Sequence, residues 1–115
     1  METYNNLACL YWDVGDFENA TRYFEEALKI TKSQATDNRQ QALLTGYRSV
    51  VIAYGEMLMT YKKYQKAKEV FEEYLKAILD DSEVKSLLQK CENIIGKARK
   101  LVSIVQHRDA ESSSA

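Results

Sequence analysis

Residues 4–30 read Tyr4-x-x-Leu7-Ala8-x-x-Tyr11-x-x-x-Gly15-Asp16-Phe17-x-x-Ala20-x-x-x-Phe24-x-x-Ala27-Leu28-x-Ile30. Apolar residues recur every three or four positions on both sides of Gly15-Asp16, the spacing of one helix face. A first helix is expected over about Thr3 to Val14, with Tyr4, Leu7, Ala8, Tyr11 and Val14 on one face. Gly15 accepts the positive φ that ends a helix. A second helix should run from Phe17 to about Gln34, with Ala20, Tyr23, Phe24, Ala27, Leu28 and Thr31 inward. Ala8, Ala20 and Ala27 let two backbones approach closely, and a large residue at Ala20 would overpack the contact by about 1–3 kcal/mol.

The pattern continues beyond this pair. Thr36 or Asp37 is a plausible N-cap for a third helix carrying Leu43, Leu44, Tyr47, Val50, Val51, Tyr54, Leu58 and Tyr61. Lys62-Lys63 makes a turn without glycine, and a fourth helix follows from Tyr64 to about Leu79, with Ala67, Val70, Phe71, Tyr74 and Leu75 inward. Asp80-Asp81-Ser82 then offers a cap for a fifth helix. Its apolar set is Val84, Leu87, Leu88, Cys91, Ile94, Ile95, Ala98, Leu101, Val102 and Val105. With no proline in the chain, nothing local stops the second helix at Lys32, so long helices are expected.

The first pair resembles a tetratricopeptide repeat, the 34-residue helix-turn-helix unit, at almost every signature position. The second pair resembles it too: Gly55 takes the small-residue place of the first helix, Leu58 the large one, and Tyr64, Ala67 and Phe71 follow in phase. Tyr74 departs from the pattern, since a small residue is usual there, and needs a neighbour that accepts a ring. The interval from Ala20 to Ala67 exceeds the usual repeat length, as in the long-helix variants of kinesin light chains and of the spindle-orientation adaptors that bind G-protein subunits. The resemblance implies an all-α, right-handed α-solenoid: repeat 1 over about 1–35, repeat 2 over about 37–79 and a capping helix over about 83–106. Together these form a domain over 1–106, and 107–115 is expected to be a disordered tail.

It also implies a function. Inner helices of the family line a concave groove that takes extended peptides or short helices. By matching position the groove would present Glu2, Asn5, Asn6, Cys9, Trp12 and Asp13 from the first repeat. The second would add Ser49, Ile52, Ala53, Glu56, Met59 and Thr60. Asn6 matches a position where the family often uses an asparagine to bond a ligand backbone. Trp12 is either a rigid anchor for a partner or a packing residue. The subclass that clamps chaperone C-termini uses a lysine and an asparagine where Asn5 and Cys9 stand, and another asparagine at Ala53, so a chaperone clamp is not expected.

Composition narrows the alternatives. The chain has 115 residues, 45% of them hydrophobic and 29% charged, which fits one globular unit. Its 16 basic and 17 acidic residues give a net charge of −1, which does not call for nucleic acid or an anionic membrane. The charge is uneven: residues 1–38 hold three basic and seven acidic side chains, and residues 39–79 seven basic and four acidic. Ordinary solvated faces explain this, and an acidic repeat stacked on a basic one is the sharper reading. Lysines 62, 63, 66 and 68 are followed at once by Glu69, Glu72 and Glu73, against an RNA site.

Cys9 and Cys91 lack metal-ligand spacing, and His107 has no paired nucleophile. No Gly-rich phosphate loop is present. No catalytic residue, cofactor or metal is therefore expected. The expected role is a cytoplasmic, soluble protein-interaction module, an adaptor or scaffold. The competing expectation is a structural segment that self-associates or docks into a motor, cilium or cytoskeletal assembly through its solenoid ends.

Overall fold

A computed structural model describes the backbone of residues 2–37 and 39–114 and the side chains of 4–37 and 39–104. Among the described residues it contains five helices and no strand: α1 (Glu2–Asp13), α2 (Phe17–Asp37), α3 (Gln41–Thr60), α4 (Tyr64–Ala77) and α5 (Ser82–Ser114). Each helix packs on the next in sequence, and α1 also meets α3, so two hairpins stack side by side with α5 following as an all-α solenoid.

The two hairpin turns are the same device. At the first, the N–H of Gly15 donates to the Trp12 carbonyl and that of Asp16 to the Tyr11 carbonyl, with Gly15 at φ 80°. At the second, Lys62 donates to Met59 and Lys63 to Leu58, with Lys62 at φ 62°. Both are helix C-caps closed by a left-handed residue. The second turn lacks glycine and places a lysine in the conformation that glycine adopts most easily.

Matching positions of the two hairpins are buried alike: Ala8 and Gly55, Ala20 and Ala67, Phe24 and Phe71. The need for a small residue is explicit at Gly55, where an added Cβ would stand 2.2 Å from the Phe71 ring. Aromatic contacts join the layers: Tyr11 stacks on Tyr23 and Phe24 on Tyr54, each with centroids 5.4 Å apart. Tyr74, the departure from the repeat pattern, is 2% exposed. Its ring meets Tyr47 edge-on at 5.2 Å, and its hydroxyl donates to Asp81 at 2.7 Å.

Asp81 holds the third layer in place. It also accepts from Arg48 Nε at 2.7 Å and caps α5 through the Val84 N–H at 3.3 Å. Burial alone would raise its pKa. The hydrogen bonds from Arg48, Tyr74 and Val84 outweigh burial and hold it below the usual 3.8.

Several expectations need correction. Val14 lies outside α1 and is 77% exposed, because the chain turns away at the Gly15 cap. The second helix continues past Gln34 to Asp37, since buried Ala35 extends its packed stripe by a turn. The residue before α3 is consequently Gln40, in an extended conformation with no side-chain cap, not Thr36 or Asp37. The fourth helix ends at Ala77, and Ile78 is extended.

The apolar stripe of α5 is covered only in its first half. Val84 and Cys91 are fully buried, whereas Leu101 and Val102 are 63% and 55% exposed. The 14 residues of α4 span about 21 Å, too short to cover a helix of 33 residues, about 50 Å long. The backbone of α5 runs to Ser114, past the end expected near 106. The side chains of 105–114, those of Val105 and His107 included, and Ala115 altogether lie outside the described residues; the backbone of 107–114, in the tail expected to be disordered, belongs to α5.

Candidate functional site

Because α1 and α2 form a hairpin and α2 and α3 another, α1 and α3 run in the same direction, side by side. Between them lies a groove of about 520 Å³ lined by Asn5, Asn6, Thr31, Thr45, Ser49 and Val50, with Ala42 and Gly46 completing the wall. Helical periodicity puts these groups together: Ala42, Thr45, Gly46 and Ser49 follow the i, i+3, i+4, i+7 rule along one face of α3.

The polar groups differ in what they have left to offer. The Thr31 hydroxyl is used, donating to the Ala27 carbonyl at 2.7 Å, and that of Thr45 to the Gln41 carbonyl at 2.9 Å. Asn6 and Ser49 are exposed. Asn5 is half-buried, and its Oδ1 is buried without a hydrogen-bond partner. A buried amide oxygen that the fold leaves unpaired costs stability, which is expected where a side chain serves something other than folding.

Of the residues expected from the sequence, Asn5, Asn6 and Ser49 come together in this groove. Cys9, Trp12, Ile52, Ala53 and Met59 are partly buried and pack against the core. Asp13 and Glu56 are exposed outside the groove lining, each seven residues beyond a lining residue (Asn6 and Ser49) on the same helix. Thr60 is exposed, its hydroxyl donating to the Glu56 carbonyl. Glu2 is in α1, and its side chain lies outside the described residues.

Sequence reasoning missed Thr45, Gly46 and Ala42. Their signal was available, since all three share the face of Ser49 on the N-terminal extension of α3, which the repeat pattern does not cover.

Inner helices α1 and α3 carry one cation among the described residues, Arg48, and it is engaged with Asp81 and Glu83 at 2.7 and 2.6 Å. Both cysteines are free thiols. Burial, with Asp13 adding to it, pushes the Cys9 thiol up; burial and then Glu92 do the same for Cys91. Neither is primed as a thiolate nucleophile.

Among the described residues no cluster of three or more His, Cys, Asp or Glu side chains is arranged to hold a metal ion. No helix there is long and apolar enough to cross a membrane.

Comparison with known proteins adds one positive finding: the tetratricopeptide repeat family model matches residues 1–33. No curated protein and no solved structure matches the chain. The match covers α1 and most of α2, the hairpin whose Gly15 cap and buried Ala8, Ala20, Phe24 and Ala27 are described above. Over residues 1–33 the chain matches the tetratricopeptide repeat, a unit that generally mediates protein–protein interaction, and residues 2–33 fold as the helix pair such a unit forms.

Proposed function

We propose that the chain is a non-catalytic protein-interaction module, an adaptor or scaffold acting in the cytoplasm, whose α1–α3 groove takes a peptide or short helix of a partner protein. The observation that carries this reading is the convergence of Asn5, Asn6 and Ser49 on one groove, with the Asn5 Oδ1 left without a partner by the fold. Amides present donor and acceptor side by side, the complement of a peptide backbone. Asp13 and Glu56, farther along the same helices, favour a partner that is neutral or basic there.

The test is affinity capture from cell lysate with the wild-type chain and an Asn5→Ala, Asn6→Ala, Glu56→Ala variant of matched helicity. Partners captured by the wild type and lost from the variant support the groove. Partners kept by both move the function elsewhere.

A second reading has its own observation. Leu10 and Val14 are 61% and 77% exposed at the α1 side, and Leu101, Val102 and Ile104 are 63%, 55% and 54% exposed on α5. Apolar surface of that kind favours a structural segment that docks or self-associates through its outer layers. Sedimentation that shows concentration-dependent assembly, abolished by Leu101→Ser and Ile104→Ser, would support it. A monomer at all concentrations would refute it.

A further inference from the structure

Two residues on from Thr45, about 200° round α3, Tyr47 faces a different space. Outer helices α2 and α4 both pack on α3 and leave between them a cavity of about 550 Å³. Its floor is Tyr47, Tyr54, Leu28 and Val70, and Glu25, Lys29, Lys32, Lys66 and Glu73 stand on its walls. That volume is within the range of small-molecule sites, and the mixture of an apolar floor with a few polar groups is their usual make-up.

The buried tyrosines show which of those groups is unspent. The Tyr54 hydroxyl donates to Glu25 at 3.0 Å and the Tyr74 hydroxyl to Asp81 at 2.7 Å. Tyr47 is 1% exposed, and its hydroxyl has no hydrogen bond among the described residues. Tyr47 lines the cavity, so a hydroxyl without a partner there is available to a ligand; burial and then the Glu73 carboxylate push its pKa up to about 12.

The charges divide the same way. Glu25 is taken by the Tyr54 hydroxyl and Glu73 by Lys32 and Lys76. Lys29 on α2 and Lys66 on α4 form no ion pair among the described residues, and with Lys32 they outnumber Glu25 and Glu73, so the lining carries a net charge of +1. The Lys32–Glu73 pair bridges α2 to α4 at the cavity, and the volume suits a compact ligand.

The geometry points to a binding site between α2 and α4 for a small amphiphilic anion: an apolar or aromatic body on Leu28 and Val70, and a carboxylate received by the Tyr47 hydroxyl and the ammonium groups of Lys29 and Lys66. The site is separate from the α1–α3 groove, so each stands or falls alone.

The experiment is an amide-resolved NMR titration of the chain with 4-phenylbutyrate, alongside its uncharged analogue 4-phenylbutanamide. Saturable shifts are expected around Leu28, Lys29, Tyr47 and Val70, with the neutral amide about tenfold weaker. Lys29→Gln with Lys66→Gln, a surface change, should weaken the acid by about tenfold and leave the amide unaffected. Tyr47→Phe, which keeps the ring, should weaken the acid by about fivefold. No saturable shift up to about 10 mM, shifts centred elsewhere, or equal binding of acid and amide would overturn the assignment.

Discussion

Two glycines on α3 give the sharpest check on the packing. At Gly55 an added Cβ would lie 2.2 Å from Phe71 Cζ and 2.3 Å from Cε1, while at Gly46 nothing lies within 4 Å. Alanine gains about 1 kcal/mol over glycine in a helix interior at either site. At Gly55 the neighbour that must give way is the fully buried Phe71 ring, so overpacking should cost about 2–3 kcal/mol. Gly55→Ala should therefore lose about 1–2 kcal/mol net, and Gly46→Ala should gain about 0.5–1 kcal/mol.

Urea and thermal unfolding followed by circular dichroism read both. For a domain of this size the shifts are roughly 4–8 °C down and 2–4 °C up. A double-mutant cycle with Phe71→Leu should recover part of the Gly55→Ala loss, as residues in contact do. If Gly55→Ala is as stable as Gly46→Ala, the close crossing of α3 and α4 is not as described.

Other outcomes follow from single residues. The folded pKa of Asp81 is depressed, so its stabilisation is present above the unfolded value near 3.8 and is lost as pH falls through the lower folded value. Thermal melts between pH 5 and pH 2 should show a steeper acid loss in the wild type than in Asp81→Asn, which is less stable at pH 7. Lys62 holds a left-handed φ of 62°, so Lys62→Gly should stabilise by about 0.5–1 kcal/mol in urea unfolding. Asn5→Ala removes an amide whose oxygen is buried and unpaired, so its melting point should match or exceed that of the wild type.

Local periodicity made the helices and their inward faces legible. Ala8, Ala20, Phe24, Ala27, Ala67 and Phe71 are read from spacing alone, and all are fully buried. Boundaries failed where tertiary contacts decided them: Ala35 is buried against the rest of the fold and carries α2 onward. The seat of Tyr74 depends on Asp81 and Tyr47, distant in sequence, and so does the capture of Arg48 by Asp81 and Glu83.

The candidate groove was half legible. Asn5, Asn6 and Ser49 came from repeat positions, but Thr45 and Gly46 lie on an extension of α3 outside the pattern. The cavity above Tyr47 was not legible, since three helices and an ion pair between residues 41 positions apart build it.

Site-specific photocrosslinking tests the central claim most directly. A benzophenone amino acid placed at Ser49, exposed in the α1–α3 groove, is compared with one at Glu72, exposed on α4. Covalent capture of a partner protein from Ser49 and not from Glu72 is the expected result. Capture from Glu72 alone, or equal capture from both, would contradict a function seated in the groove.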